Sequence, residues 1–293
     1  MESSSGLPFG TRAPLPVLDD LLSGASDCHV HTAPDPYHRR RMDVLNLALQ
    51  ARAMGMRAIV AKGHHFGTAP LAEVVNQLVP GFTLVGSLVL NSAVGGLNPE
   101  VVEVAAKGGA RVIWMPTFSS IMDTRIRKEG RLHYPLRPTQ HSSQTGISLL
   151  DQSGKLLPEM TPILEIIKES NLVLATGHIS IPEIYAITRA ARKMDIKVLI
   201  THPLCEVAGS ALNLAQQQEL VNMGAYLEHT LNLCMPLIQG LPPAAIVEHA
   251  RAVGVEHCIL SSDFGQDFCP APPEGFRMML GNMMLSGLTV KEL

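Results

Sequence analysis

The feature that most constrains the fold of this sequence is a repeated alternation between short apolar runs and longer amphipathic stretches. The runs are rich in valine and isoleucine, as buried strands are, and the stretches between them carry the spacing of amphipathic helices. The runs occupy residues 27–31, 57–62, 83–91, 111–116, 172–178, 197–202, 225–229 and 258–263. Because strands that alternate with helices form parallel sheets, this rhythm predicts an α/β fold.

Eight strand–helix units and a length of 293 residues fit a closed (β/α)8 barrel of the TIM type. An open, doubly wound sheet is the main alternative, and it usually has a glycine-rich phosphate-binding turn after its first strand. No such turn follows residues 27–31. We therefore predict a single TIM-barrel domain over residues 17–293, preceded by a flexible arm over residues 1–16.

One connection is much longer than the others. Residues 117–158, after the fourth strand, exceed a simple crossover and are predicted to form a lid-like insertion, with a small hairpin turning at 152–154. Two interpretations stay open: a solvated charged loop, or a lid whose basic side chains, with "HRRR" at 38–41, meet an anionic substrate. The basic side chains of the insertion are Arg125, Arg127, Lys128, Arg131 and Arg137.

The composition argues against several classes of protein. A net charge of −3 gives no support for binding nucleic acid or an anionic membrane, and no apolar run approaches the ~20 residues of a membrane span. Five cysteines without a CxxC pair indicate reduced thiols, so a cytoplasmic location is expected. We expect a small-molecule substrate, and the sequence leaves homo-oligomer formation open.

Metal-capable side chains cluster where the predicted strands end. They are His29, His31, Lys62, His64, His65, His178, His202, Glu228, His229 and Asp263. In an α/β barrel the carboxyl ends of the strands meet at one mouth, where active sites lie, so these side chains are expected to gather there.

The first strand offers two of these side chains on one face. Residues i and i+2 of a strand point the same way, so His29 and His31 can present their imidazoles to one ion. Asp27 shares that face and is expected to orient one of the rings. Cys28 is expected to point the other way, toward the helices.

The strand ends carry polar residues in a particular order along this chain. The first strand has an H-x-H, the fifth and sixth strands each end in a histidine, and the eighth strand ends in an aspartate. This order resembles the ligand arrangement of the amidohydrolase superfamily of metal-dependent hydrolases, through "DCHVH", "TGHIS", "THP" and "SSDFG". The resemblance implies a divalent metal and hydrolysis of an amide, ester or related bond. The ligands that it implies are His29, His31, His178, His202 and Asp263.

The fourth strand departs from that family. Many two-metal members carry a carboxylated lysine or a glutamate at its end, whereas this strand ends "VIWMPT". Lys62 would supply the missing metal ligand if it is carboxylated, and as a neutral amine it would bind substrate. His64 and His65 are adjacent, so at most one is expected in the site, and His65 is the catalytic candidate. The sequence therefore leaves open whether the site binds one metal ion or two.

The predicted chemistry follows from these groups. A bound Zn²⁺ lowers the pKa of its water from about 15.7 to about 7. Histidine nitrogens with one carboxylate suit Zn²⁺ best, with Mn²⁺ and Fe²⁺ as alternatives. Asp263 is expected to act as the general base, while Lys62, His65 or His178 stabilises the developing oxyanion.

We therefore predict a metal-dependent hydrolase that cleaves an amide, a cyclic amide, a lactone or an ester in a small substrate. The basic residues around the mouth favour an anionic group on that substrate. Two alternatives stay open: a phosphoesterase, and a decarboxylase with a single metal, which the missing ligand on the fourth strand would suit.

Overall fold

A computed structural model describes residues 15–129 and 146–293 of the chain. Eight parallel strands lie in the order β1 to β8, so each strand pairs with the next one along the chain. The predicted TIM barrel is confirmed, because the strands alternate with helices and the sheet curls until it is nearly closed. The strands are β1 (Ser26–Val30), β2 (Ala58–Ala61), β3 (Thr83–Val89), β4 (Ala110–Trp114), β5 (Val173–Ala175), β6 (Lys197–Thr201), β7 (Tyr226–Thr230) and β8 (Cys258–Ser261).

The helices form a layer around the strands. The α-helices of the described residues are α1 (Leu15–Leu22), α2 (Val44–Ala53), α3 (Ala69–Leu78), α4 (Pro99–Lys107), α5 (Ile121–Lys128), α6 (Met160–Glu169), α7 (Ile181–Lys193), α8 (Leu214–Asn222), α9 (Pro243–Val253) and α10 (Pro272–Leu285). Short 3-10 helices cover Ser92–Val94, Leu231–Cys234 and Val255–His257. Within these ranges, no helix combines the length and the apolar character that crossing a membrane requires.

The barrel closes where β1 meets the residues at the end of β8. The amide of Asp263 donates to the carbonyl of His29 at 2.8 Å, and the amide of His31 donates to the carbonyl of Phe264 at 2.7 Å. The Asp27 carboxylate accepts hydrogen bonds from the amides of Ser262 and His29. Asp27 therefore ties the two strands together through backbone groups.

An irregularity in β1 changes one predicted orientation. Its pairing with β2 shifts register between Asp27 and Val30, so the strict alternation of faces is interrupted. Cys28 packs against the cluster that contains Val60 and Val112 inside the barrel. The prediction that Cys28 faces the helices is wrong, because the irregular pairing turns it inward.

The connection after β4 contains α5, which begins at the Ser120 N-cap. The chain returns through a bridge between Ser120 and Ile147 and a tight turn closed by a bridge between Leu150 and Leu156, at the predicted hairpin. The predicted basic residues Arg131 and Arg137 lie outside the described residues. The lid therefore stays a prediction, although the first part of the connection reaches the barrel mouth.

Candidate metal centre

Three of the predicted ligands converge on one point at the seam between β1 and β8. The Nε2 atoms of His29 and His31 each lie 3.1 Å from the Oδ1 atom of Asp263. The His29 and His31 side chains are almost fully buried, and Asp263 is buried as well. A cation between these atoms would have two imidazole nitrogens and one carboxylate oxygen as ligands, a set that suits Zn²⁺.

Hydrogen bonds hold both imidazoles in the tautomer that a metal needs. The Nδ1 atom of His31 donates to the carbonyl oxygen of Lys62 at 2.9 Å, and that of His29 faces the Oε2 atom of Glu228 at 3.1 Å. With the proton on Nδ1, the lone pair of each Nε2 atom is directed toward Asp263. Burial lowers the pKa of His29 well below its usual value and that of His31 to about 4, so both rings are neutral at pH 7.

Glu228 performs the role that was predicted for Asp27. The side chain of Glu228 is fully buried in the middle of β7, where Oε2 faces His29 and Oε1 accepts from the hydroxyl of Ser261 at 3.0 Å. Burial raises the pKa of Glu228, and the nearby amine of Lys62 opposes that rise. Asp27 does not perform that role within the described residues: its Oδ1 atom accepts from the amides of Ser262 and His29, and its buried Oδ2 atom has no partner there.

Lys62 lies at the centre of the same group. Its Nζ atom is 2.9 Å from the Nε2 atom of His29 and 4.3 Å from the centre of the Trp114 ring, and the side chain is buried. Burial lowers the pKa of Lys62, whereas the carboxylates of Asp263 and Glu228 raise it. The amine therefore competes with any cation for the lone pair of His29 unless it is neutral or modified.

His178 and His202 line the same cavity as His31 and Lys62. Their ring centres are 5.0 Å apart, and the ring of His202 lies 6.3 Å from that of His29. The buried Nδ1 atom of His202 has no partner among the described residues, and burial lowers the pKa of His202 to about 3. The rings of His178 and His202 thus lie beside the His29, His31 and Asp263 group, and their role as ligands stays a prediction.

Asp123, on α5, was not predicted to belong to the site. Its Oδ2 atom is 2.8 Å from the Nδ1 atom of His178, and its Oδ1 atom is 2.8 Å from the Nε atom of Arg127. Asp123 is buried and lines the cavity. The connection after β4 therefore supplies the carboxylate that orients the ring of His178.

The two adjacent histidines after β2 separate, as their neighbouring positions predicted. His64 lines the cavity, stacks on His31 with ring centres 4.6 Å apart and packs against Phe118 at 3.9 Å. The lining does not include His65, whose Nδ1 atom lies 3.8 Å from the Oδ1 atom of Asp35. A catalytic role for His65 stays a prediction, and the position of His64 suits that role better.

Asp35, His38 and His65 form a second group with metal-ligating atoms close together. The guanidinium of Arg40 occupies the other carboxylate oxygen of Asp35 through two bonds, of 2.6 and 2.9 Å. The Oδ1 atom of Asp35 already accepts from the amides of Tyr37 and His38. A cation at this group would be repelled by Arg40, so we do not assign a metal to it.

The basic residues near the mouth are mostly paired with acids. Arg40 is bound to Asp35, Arg127 to Asp123, and the Nε atom of Arg125 lies 3.0 Å from Glu129. Among the described residues that line the cavity, Lys62 is the one lysine or arginine. The described part of the mouth therefore lends little support to an anionic substrate.

The cavity itself has a polar floor and an apolar wall. Its volume is about 90 Å³, enough for a small chemical group beside the candidate ligands. The apolar wall comes from the loops after β4, β6 and β7. Its side chains are Phe118, Cys205, Val207, Ala208, Leu233 and Ile238.

His229 was expected at the mouth with the other strand-end residues, and this expectation is wrong. His229 follows the inward-facing Glu228 and therefore points toward the helix layer. In the part of the chain that the structure describes, neither of its buried ring nitrogens has a partner, and burial, with the nearby His249, lowers its pKa to about 3. Glu228 and His229 show that one step along a strand decides whether a residue enters the site.

Comparison with known families places the chain. A family described as being of unknown function, DUF6282, matches residues 24–228, which is more than half of the chain. The chain belongs to this family. The match includes His29, His31 and Glu228 but ends before β8 and Asp263. No curated protein matches the chain.

Solved structures share the barrel of this family member. A probable dipeptidase from Pseudomonas aeruginosa has 12% identity and a TM-score of 0.63, and the alignment covers 95% of this chain and 94% of that one. An amidohydrolase from Pseudomonas aeruginosa has 11% identity and a TM-score of 0.59, with the same coverage. 2,6-Dihydroxybenzoate decarboxylase, solved with 2,6-dihydroxybenzoate, has 9% identity, a TM-score of 0.52 and coverage of 92% and 94%. The chain therefore shares the TIM-barrel fold of these proteins, as predicted.

Proposed function

We propose that this protein is a metal-dependent hydrolase that cleaves an amide, a cyclic amide, a lactone or an ester in a small substrate. The observation that carries the proposal is the convergence of the His29 and His31 Nε2 atoms on one oxygen of Asp263 in a buried cavity. Neutral imidazoles with fixed tautomers, next to an ionised carboxylate, form a set of donors whose main use is to bind a cation.

The residues present fit a divalent ion, which we take to be Zn²⁺. His29, His31 and Asp263 would hold it, and His178 and His202 are the proposed donors on the adjacent wall. The chemistry that such an ion supplies is acidification of a water molecule and polarisation of the scissile carbonyl. The buried Nδ1 atom of His202, which no residue of 15–129 or 146–293 contacts by a hydrogen bond, supports this fit, because such a polar atom in a protein interior usually has a ligand or water as its partner.

The side chains around the donors have separate proposed roles. Burial would raise the pKa of Asp263, but the neighbouring His29, His31 and Lys62 outweigh this effect and lower it well below its usual value. Asp263 is therefore ionised and can accept a proton from the attacking water. We assign stabilisation of the developing oxyanion to the amine of Lys62, and the wall around Phe118 excludes bulk water.

Metal content and turnover of matched variants test the proposal. Purified wild-type protein should contain at least one divalent ion per chain by elemental analysis. The double variant His29→Ala/His31→Ala should lose the ion, whereas His257→Ala, a partly exposed histidine far from the mouth, should keep it. Full metal occupancy in the double variant would overturn the assignment of these ligands.

Asp263→Asn tests the base. It should retain the ion, since the amide oxygen can still bind, and lose most turnover on a panel of small amides, lactones and esters. Unchanged turnover would remove Asp263 from the role of base.

A decarboxylase is the second candidate, because β4 ends at Trp114, whose buried indole leaves no carboxylate or amine at that position. One barrel of the same fold is a decarboxylase. Release of carbon dioxide from aromatic carboxylates, without release of acid from amides or esters, would favour this function over hydrolysis.

A further inference from the structure

The barrel interior contains a second cavity, at the opposite end from the candidate metal centre. It has a volume of about 540 Å³, within the usual range for small-molecule sites. Seven of the eight strands contribute to it, so it lies on the barrel axis. Its apolar lining includes Cys28, Val60, Val112, Val173, Leu199 and Ile259.

Small side chains explain why this space stays open. A TIM barrel is ordinarily filled by layers of bulky side chains from alternate strands, so its centre is a packed core. Here β1, β2, β4 and β5 supply only a cysteine and three valines to the lower interior. These chains are too short to meet across the axis.

Solvent exposure follows the same pattern. Val173 and Ile259 point into the barrel and are only partly buried, whereas the outward-facing Ile113, Leu174 and Leu227 are completely buried. The strands of an ordinary barrel are buried on both faces. The lower interior of this barrel is therefore an apolar cavity that opens at the amino-terminal ends of the strands.

The rim of the cavity carries a cation. Lys197 and Tyr226 begin β6 and β7, and both are exposed at the opening, with Glu256 nearby. Glu256 lies 3.8 Å from His257, whereas Lys197 forms no ion pair with any residue in 15–129 or 146–293. A molecule with its apolar part inside the barrel would thus place its polar end beside the ammonium group of Lys197.

We infer that the lower end of the barrel binds a small amphipathic carboxylate, with its hydrocarbon tail among the interior valines and its carboxylate at Lys197. An apolar tail suits a site whose walls offer almost no hydrogen-bonding groups. The anionic head matches the charge of Lys197. The site is independent of the proposed hydrolase function.

Trp114 separates the two ends of the barrel and provides a reporter. It is the only tryptophan of the chain, and it belongs to the same cluster as Val60, Val112 and Leu199. On its other side it contacts the ring of His29 at 4.7 Å and the amine of Lys62 at 4.3 Å. A ligand that fills the lower cavity should therefore change the fluorescence of a single, known indole.

Titration of the wild-type protein with octanoate, followed by tryptophan fluorescence and calorimetry, tests the inference. One saturable site per chain is expected. Val173→Phe should place a phenyl ring inside the cavity and weaken binding at least tenfold, whereas Val104→Phe, on the exposed surface of α4, should leave it unchanged. Ile259→Phe repeats the test at a second position, and a thermal unfolding curve establishes that each variant is folded.

The head group is tested at Lys197. Lys197→Met should weaken octanoate roughly two- to fivefold, as expected for an exposed charge pair, and leave 1-octanol unchanged. Lys193→Met, at the exposed end of α7, is the matched control. Equal weakening of the acid and the alcohol would overturn the assignment of Lys197.

Two results would overturn the site as a whole. One is the absence of saturable octanoate binding to the wild-type protein, or binding that Val173→Phe and Ile259→Phe leave unchanged. The other is loss of octanoate binding in His29→Ala/His31→Ala, since the ligand would then lie in the upper cavity. Metal content should be the same in Val173→Phe as in the wild-type protein.

Discussion

Replacement of Glu228 by glutamine isolates the carboxylate behind the candidate ligand His29. The change keeps the shape of the side chain and removes its charge. The amide oxygen can still accept from the Nδ1 atom of His29, and the amide nitrogen can take the place of the other oxygen, 3.0 Å from the hydroxyl of Ser261. Both contacts are therefore retained, and the variant measures how the charge of Glu228 affects metal binding.

The expected loss can be bounded from the structure. Removing the hydrogen-bond partner of a metal-bound histidine typically weakens metal binding roughly 10- to 100-fold, or about 1.4 to 2.7 kcal/mol. Glu228→Gln should lie at the low end of this range, because the orientation of His29 is preserved. Glu228→Ala should lie at the high end, because both His29 and Ser261 lose their partner.

The dependence on pH gives this prediction a sign. Burial raises the pKa of Glu228, so at low pH the native protein carries a protonated Glu228 that resembles glutamine. The gap in metal affinity between wild type and Glu228→Gln should therefore widen as pH rises. A mutation that acted only through packing would produce a gap that does not change with pH.

The assay is competition for Zn²⁺ against a chromophoric chelator at several pH values. Glu103→Gln, an exposed glutamate paired with Lys107, is the matched control and should bind Zn²⁺ as the wild-type protein does. Equal affinity in Glu228→Gln, Glu228→Ala and the wild type would refute the idea that Glu228 supports a metal ligand through His29.

Three further predictions follow from the same contacts. Lys62→Met should leave the metal content unchanged and reduce turnover if the amine binds substrate; a fall from two ions to one, by elemental analysis, would instead make Lys62 a carboxylated ligand. Asp123→Asn should lower kcat/KM about tenfold, because His178 loses the carboxylate that orients it. An unchanged kcat/KM would show that the orientation of the His178 ring by Asp123 is unimportant. His229→Leu should stabilise the protein in acid. The pKa of His229 in the folded protein, about 3, lies below the usual 6.5, so the wild-type protein loses stability as pH falls below 6.5. At pH 5 this residue lowers the free energy of unfolding by about 2 kcal/mol, a loss that the leucine variant avoids. Urea unfolding at pH 5 and pH 7.5 checks the last prediction, and an equal effect of His229→Leu at both values would contradict it.

The fold was predictable because its signal is repeated. Each strand is a short Val- and Ile-rich run between helical segments, and eight repeats of this unit leave few architectures open. The placement of polar residues at strand ends then predicts which side chains meet, since the barrel brings those ends together. His29, His31 and Asp263 lie close together for this reason.

Other parts of the site depend on contacts that no local pattern reports. The register shift in β1 turns Cys28 inward and frees Asp27 for the seam, and such irregularities have no clear sequence signal. Asp123 lies on a helix whose position is set by packing. Glu228 was visible at the end of a strand, but its partner could be identified only from the distance to His29.

The candidate ligands on the two sides of the seam between β1 and β8 are synthesised at different times. His29 and His31 emerge from the ribosome before Asp263, which follows them by more than 230 residues. A nascent chain therefore carries an incomplete set of donors until β8 has been made, and tight capture of an ion has to wait for that strand. Once bound, an ion joins the first strand to the last at the junction that closes the ring, and mass action then opposes opening there. Loss of metal should accordingly loosen this junction before the rest of the barrel.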